Sequence, residues 1–277
     1  MSKTISVALC TYNGAKYIRE QLESIVNQTL LPTEIVVYDD KSTDNTLDIV
    51  SDFAALYSHI RWIIQSNKQN LGVRNNFAHA INRCVGDYIA TADQDDIWEK
   101  EKLQTLYSAI ETEHVALVHS DIQLIDSTGA FIMYTPPELS NKAAQLPLKY
   151  YLITSNNVTG CTCLFTSELI KLAQPFPQAY FYHDRWLAVV AYHNGGIGFV
   201  NQKLTRYRQH ESNVVASLGG GGNTTIRDQH YFSQKATVIA KLLKQQALIK
   251  YSFKEKLLLW LQYLSGISGI SAFRNRD

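Results

Sequence analysis

Apolar β-type runs alternate with amphipathic segments along the first 120 residues, and this alternation limits the chain to few folds. Ile5–Leu9 has the makeup of a short buried strand. Ile18, Leu22, Ile25 and Val26 then recur at helical spacing. "EIVVYDD" (34–40) is rich in β-branched residues and reads as a second strand. "STDNTLDIVSDFAALY" opens on cap-type residues and repeats apolar groups at Leu47, Val50, Ala54 and Tyr57, which predicts a helix. "IRWIIQ" (60–65) is a third strand. Phe77, Ala80, Ile81 and Cys84 mark a third helix, and "DYIATA" (87–92) is a fourth strand. Strands joined by helices need right-handed crossovers. The expected fold class is therefore α/β, with a doubly wound, mostly parallel central sheet.

Acidic residues fall where those strands stop. Asp39 and Asp40 end the second strand, and "ATADQDDIW" ends the fourth with Asp93, Asp95 and Asp96, three carboxylates in four positions. Thr11-Tyr12-Asn13 follows the first. Carboxylates this close raise one another's pKa, which a protein tolerates on an open loop or uses around a cation. In an open α/β sheet the crevice beyond the strand C-termini is where ligands bind, so the three segments converge on one edge. "CTYNGAKY" is not a G-x-G-x-x-G loop, and no G-x-x-x-x-G-K-[ST] occurs. A diphosphate at this edge would need a divalent cation held by Asp in place of a glycine loop.

The chain has 277 residues, 45% of them apolar and 18% charged, which suits a globular protein with a large core. A net charge of +1 argues against a nucleic-acid partner. Cys161-Thr-Cys163 is neither a redox C-x-x-C nor half of a zinc site; on a strand, its two thiols would share a face. Buried, reduced cysteines, an N-terminus without a secretory signal and the lack of a long apolar run imply a cytoplasmic protein without a spanning helix.

The second half is less regular. "HVALVHSD" (114–121) and "NVTGCTCLF" (157–165) read as strands, with a hairpin turn at "IDSTGAF" and a helix from about Ser167. "HDRWLAVVAYHNGG" reads as a helix ended by Gly195-Gly196, and "IGFVNQKLTRYRQH" as a strand running into a loop. Four glycines in "SLGGGGN" (217–223) suggest a hinge that could close over a ligand. Beyond about Thr225 the pattern is helical. There Leu257, Leu258, Trp260, Leu261 and Leu264 form an apolar face flanked by Lys250, Lys254 and Lys256. Two readings fit it: an interfacial membrane helix, or packing on the domain or on a second subunit, which leaves room for a homodimer.

Seven segments together, "ALCTYNGAKYIREQLESIVNQT", "VVYDDKSTDNT", "NLGVRNNF", "GDYIATADQDDIW", "NNVTGCTCLF", "HDRW" and "YRQHESN", resemble the family 2 nucleotide-sugar glycosyltransferases. The similarity is to the rhamnosyltransferase-like subgroup of bacterial surface polysaccharide synthesis. It spans about residues 5–213. It implies a GT-A type fold with a smaller acceptor-side sheet and a helical C-terminal tail. It also implies a nucleotide-sugar-binding half (1–120), an acceptor and catalytic-base half (121–222) and a helical extension (223–277).

The resemblance further implies a UDP- or dTDP-sugar donor, a saccharide or lipid-linked saccharide acceptor, and inversion by single displacement. Tyr12, beside Thr11 and Asn13, would stack on the base. Asp40 would accept the base N3–H, which uracil and thymine both offer. Gly72 would let backbone approach the nucleotide, with Arg74 near a phosphate. Asp93 and Gln94 would face the ribose or sugar, and Asp95 would hold Mg²⁺ or Mn²⁺, with His210 as a further ligand. Arg206 and Arg208, two positions apart on a strand, would share a face toward phosphate. Asp184 would be the general base. Asp96, Gly160, His183 and Trp186 would contact acceptor or sugar; His183 stands where the family often has Glu. Two rivals remain: a metal-dependent nucleotidyltransferase, and a sugar-binding relative without turnover.

Overall fold

The computed structural model describes residues 3–134, 158–177, 182–211 and 213. All but Asn213 fall in one compact unit, Met1–Gln145 with Asn157–Ser212. The glycine-rich segment 217–223 and the extension expected to be helical (223–277) lie outside the described residues.

Strand β1 (Ile5–Thr11) is buried along its whole length, as a central strand covered on both faces must be. It lies between β2 (Glu34–Asp39) and β4 (Tyr88–Asp93), parallel to both, and β3 (Arg61–Ser66) extends the row beyond β2. The crossovers are α1 (Ile18–Val26), α2 (Thr46–Leu56) and α3 (Gly72–Arg83). Helix α1 buries Ile18, Leu22, Ile25 and Val26, the stripe that its spacing predicts. After β4 come the two-residue β5 (Ile97–Trp98) and α4 (Lys102–Glu113).

The remaining strands continue the same sheet. They are β6 (Leu117–Ile125), β7 (Phe131–Tyr134), β8 (Cys163–Thr166) and β9 (Ile197–Arg208), in the order β3-β2-β1-β4-β8-β6-β9-β5 with β7 beside β6. Strand β8 runs antiparallel to β4 and β6, while β6 and β9 are parallel. The boundary drawn at residue 120 therefore falls inside β6, and the two halves share one sheet. Helices α5 (Ser167–Ala173) and α6 (His183–His193) complete the described unit.

Three boundaries differ from the sequence pattern. The strand expected over 114–121 starts at Leu117, because His114 takes a left-handed conformation at the end of α4. Cys84 caps α3 rather than joining it. The strand expected over 157–165 starts only at Cys163: Gly160–Thr162 is a 3-10 turn, closed by Thr162 N–H donating to the Thr159 carbonyl at 3.0 Å. The two cysteines are thus not alternate strand positions, although both are buried free thiols.

Candidate active site

The parallel strands end at one edge. There β1 leads into Tyr12, β2 into Asp40 and β4 into the Asp93–Asp96 loop. The two acidic pairs are treated differently. Asp39 is fully buried and accepts from Thr11 Oγ1 (2.8 Å), from Ser42 N (2.8 Å) and Oγ (2.5 Å), and from Ser66 Oγ at 3.3 Å. Asp40 accepts from Leu71 N (2.7 Å), Gly72 N (2.8 Å) and Asn67 Nδ2 (2.9 Å). Gly72 has φ +77, a left-handed backbone that turns its N–H onto that carboxylate without strain. Asp40 therefore anchors the loop before α3, and a base N3–H would be a fourth donor to it. Tyr12 is 49% exposed, its ring open for stacking.

At the end of β4 the carboxylates have fewer partners. Asp93 is held well above the ordinary carboxylate range, first by burial and then by Asp96, Asp95 and Asp184. Asp96 is completely buried. Its Oδ1 accepts from Arg208 N at 3.1 Å, while Oδ2 has no hydrogen-bond donor of good geometry among the described residues, the Cys161 thiol being its neighbour. Burial and the neighbouring Asp95 raise its pKa to about 7. Asp184, in the first turn of α6, is pushed up to about 6 by burial, partly opposed by the Arg185 N–H at 2.6 Å. The fold thus brings Asp184 to the D-x-D loop.

Asp95 Oδ2 and His210 Nε2 lie 2.8 Å apart, so the two expected cation ligands meet. The His210 ring packs on Tyr17, centroids 4.8 Å apart. Asn13, at φ 48, has its N–H on Ser42 Oγ (2.8 Å) and accepts from Thr43 N at 2.8 Å. The guanidinium of Arg74 covers the Tyr182 ring at 4.9 Å.

Several expected contacts are corrected. Arg206 and Arg208 do not face one surface. Arg206 forks onto Glu99 at 2.6 and 3.3 Å, half exposed. Arg208 is 1% exposed and engaged on the Asp95 carbonyl (2.8 Å) and the Glu20 carboxylate, so it braces the D-x-D loop from within. Trp186 is also 1% exposed, and its indole N–H donates to the Ala173 carbonyl at 2.7 Å, joining α6 to α5. It is a packing residue. Gln94 turns its amide onto the Tyr12 backbone. Gly160 provides space: a Cβ there would stand 2.6 Å from His183 Nε2. His183 is buried against Phe77, ring centroids 3.9 Å apart, with neither nitrogen hydrogen-bonded among the described residues. Burial lowers its pKa to about 3, which keeps the ring neutral.

Sequence reasoning missed Lys102. It is fully buried beneath the acidic loop, with Nζ donating to Thr205 Oγ1 (2.9 Å) and the Cys161 carbonyl and lying 3.8 Å from the Trp98 ring centre. Burial lowers its pKa, and Asp96 and Asp93 are among the charges opposing that shift. A signal was present: Lys102, Leu106 and Ile110 recur every four residues, which sets a lysine on the apolar stripe of α4.

The fold is shared by solved GT-A glycosyltransferases. Residues 1–349 of TarS from S. aureus, in complex with UDP-GlcNAc, superpose with a TM-score of 0.69 at 22% identity, covering 97% of this chain and 73% of that one. The mannosyltransferase PcManGT from Pyrobaculum calidifontis, in complex with GDP-Man and Mn²⁺, gives 0.64 at 16%, covering 100% and 77%. The sequence model "Glycosyl transferase family 2" matches residues 6–171, more than half of the chain, so the chain belongs to that family. Similar relatives include the dTDP-rhamnosyl transferase RfbG of Shigella flexneri, 28% identical over 87% of this chain and 86% of the relative. An uncharacterized glycosyltransferase of Haemophilus influenzae is 26% identical, over 91% and 81%. No helix among the described residues is long and apolar enough to cross a membrane.

Proposed function

We propose that the chain transfers a hexosyl or rhamnosyl unit, with inversion, from a UDP- or dTDP-linked donor to a hydroxyl of a saccharide or lipid-linked saccharide. The setting would be cell-surface polysaccharide assembly at the cytoplasmic face of the membrane. The observation that carries this reading is Asp184 in electrostatic contact with Asp93 of the D-x-D loop, which sets a proton acceptor beside a candidate donor site. The similarity to a dTDP-rhamnosyl transferase supports a deoxyhexose donor. The UDP and UDP-GlcNAc complexes of TarS support a nucleotide sugar in this fold.

The residues fit a divalent cation. Several carboxylates repel one another here, and the Asp96 Oδ2 orphan is an uncompensated acceptor. Asp93, Asp96 and the Cys161 thiol also come within 4.8 Å of one another. They form a poorer donor set, because burial keeps the thiol protonated and Lys102 already sets a cation against the Cys161 carbonyl. Asp95 with the His210 imidazole is the better pair for Mn²⁺ or Mg²⁺. When bound, the cation supplies positive charge for the diphosphate. Tyr12 stacks on the base and Asp93 orients the sugar. Asp184 takes the proton from the acceptor hydroxyl as that oxygen attacks the anomeric carbon, and the nucleoside diphosphate leaves from the opposite face.

The test compares Asp184→Asn with Asp95→Asn in transfer and donor-binding assays. Loss of the base should cut kcat by about 10²–10⁴-fold with donor affinity nearly unchanged. Loss of the cation ligand should weaken donor binding as well. Because Asp184 must be ionised and titrates near 6, kcat of the parent should fall as pH drops through that value. Retention of more than about a tenth of parental transfer by Asp184→Asn, well short of a general base's contribution, would sink its assignment.

A further inference from the structure

We infer that Gln94 is a positioning residue that couples the cation loop to the base-binding face, so that a divalent cation tightens the hold on the nucleoside itself. This rests on the donor site proposed above.

Gln94 stands between Asp93 and Asp95, yet its amide brackets residue 12. The Tyr12 N–H donates to Gln94 Oε1 at 2.8 Å, and Gln94 Nε2 donates to the Tyr12 carbonyl at 3.0 Å. The register of β1 on β4 pairs Cys10 with Asp93, which sets the two strand ends side by side for this reach. The chain also keeps space for the amide. A Cβ on Gly14 would stand 2.1 Å from Gln94 Oε1 and 2.5 Å from its Cδ, closer than side chains can approach. Gly14 is not among the residues with a left-handed backbone, so its missing side chain serves this contact rather than a turn.

The other flank of the segment is fixed already. Asn13 N–H donates to Ser42 Oγ at 2.8 Å, Gly14 N–H donates to Thr46 Oγ1 at 2.9 Å, and Asn13 Oδ1 accepts from Thr43 N at 2.8 Å. Tyr12 thus hangs between a rigid support on one side and the Gln94 amide on the other. A cation that orders the backbone of 93–96 orders that amide, and the amide sets the plane of residue 12 and the ring it carries. Linkage makes the effect reciprocal: a nucleoside on Tyr12 raises cation affinity by the same factor.

Uridine and thymidine test this, because they lack the diphosphate and so cannot reach the cation directly. Equilibrium dialysis of labelled nucleoside against the full chain, with and without Mn²⁺, reads one direction of the coupling. Mn²⁺ titration followed by electron paramagnetic resonance, with and without nucleoside, reads the other. In the parent, Mn²⁺ should tighten nucleoside binding by about fivefold, the low end of usual couplings. In Gln94→Ala, and independently in Gly14→Ala, where the Gln is kept but displaced, the factor should fall close to one. Far-ultraviolet circular dichroism and cooperative thermal unfolding, which general loss of structure would abolish, should persist in both variants. A parental factor of one, or a fivefold effect kept by Gln94→Ala, overturns the coupling while leaving the donor site standing if UDP or dTDP still binds. Absence of any nucleoside diphosphate binding overturns the donor site and the coupling with it.

Discussion

The ends of β2 and β4 present the same signature, paired aspartates after an apolar strand, and the fold puts them to opposite uses. At β2, the carboxylates of Asp39 and Asp40 accept seven hydrogen bonds between them. Their charge is satisfied internally, and they hold the loops at 42 and 67–72 in place. At β4, Asp93 and Asp96 face Asp95 and Asp184, and one buried oxygen has no hydrogen-bond partner among the described residues. Lys102 beneath them returns only part of the missing charge. The lesson is that an acid at a strand end marks a ligand site when its neighbours fail to satisfy it. Acids hydrogen-bonded on every side there, as Asp39 is, are scaffolding. This is the stability–function conflict in local form: the proposed functional cluster is held together at a cost that the scaffold offsets.

The largest effect that separates the two ends should come from Asp39→Ala. It strands the buried Thr11 hydroxyl and removes an acceptor shared by Ser42 and Ser66. The expected loss is on the order of 3 kcal/mol in urea unfolding. A loss below about 1 kcal/mol, within the range of one ordinary hydrogen bond, would break the claim that this end is scaffold.

A divalent cation should act at the other end, with a pH dependence of definite sign. Asp96 and Asp184 have folded-state pKa values raised from 3.8 to about 7 and about 6. Their protonated forms therefore favour the folded state, and that stability is lost as pH rises from about 4 through 7. A cation held at Asp95 is favoured by ionisation of these neighbouring acids, whose charge attracts it. Saturating Mn²⁺, near 100 times its Kd, should add about 2.7 kcal/mol at pH 8 and much less at pH 5.5, read as shifts in Tm. Equal shifts at both pH values would mean that the acids of β4 do not hold the ion.

The smallest effect sharpens the contrast most. Asp96→Asn keeps an acceptor for Arg208 N–H and removes one charge from a repelling set. It should raise stability by about 1 kcal/mol without added metal, as relief of functional strain does, while impairing transfer. Destabilisation by this substitution would place Asp96 with the scaffold acids.

Much of this was legible in the sequence. The periods of α1, α2 and α3, the β-branched runs and the position of acids after them fix the α/β class, the crossovers and the crevice edge. The order of motifs singled out Asp184 and His210 for attention, and the fold brings both to the D-x-D loop; their roles stay proposals. The same residues could not show which charged groups are already partnered. Arg206 and Arg208 look equivalent at alternate strand positions, yet one meets Glu99 and the other Glu20, 107 and 188 residues away in sequence. Lys102 is a helix-surface residue by composition, until Thr205, 103 residues on, and the turn at Cys161 close over it. Gln94 reads as a ligand contact until β1 and β4 align and set Tyr12 against its amide. Helices follow from periodicity because their hydrogen bonds are local in the chain, and strands follow from it because an apolar β-branched run marks a segment buried in a sheet, whatever its partners. Whether a buried polar group is satisfied depends on groups brought together only by the closed sheet, and that was decided by the tertiary structure alone.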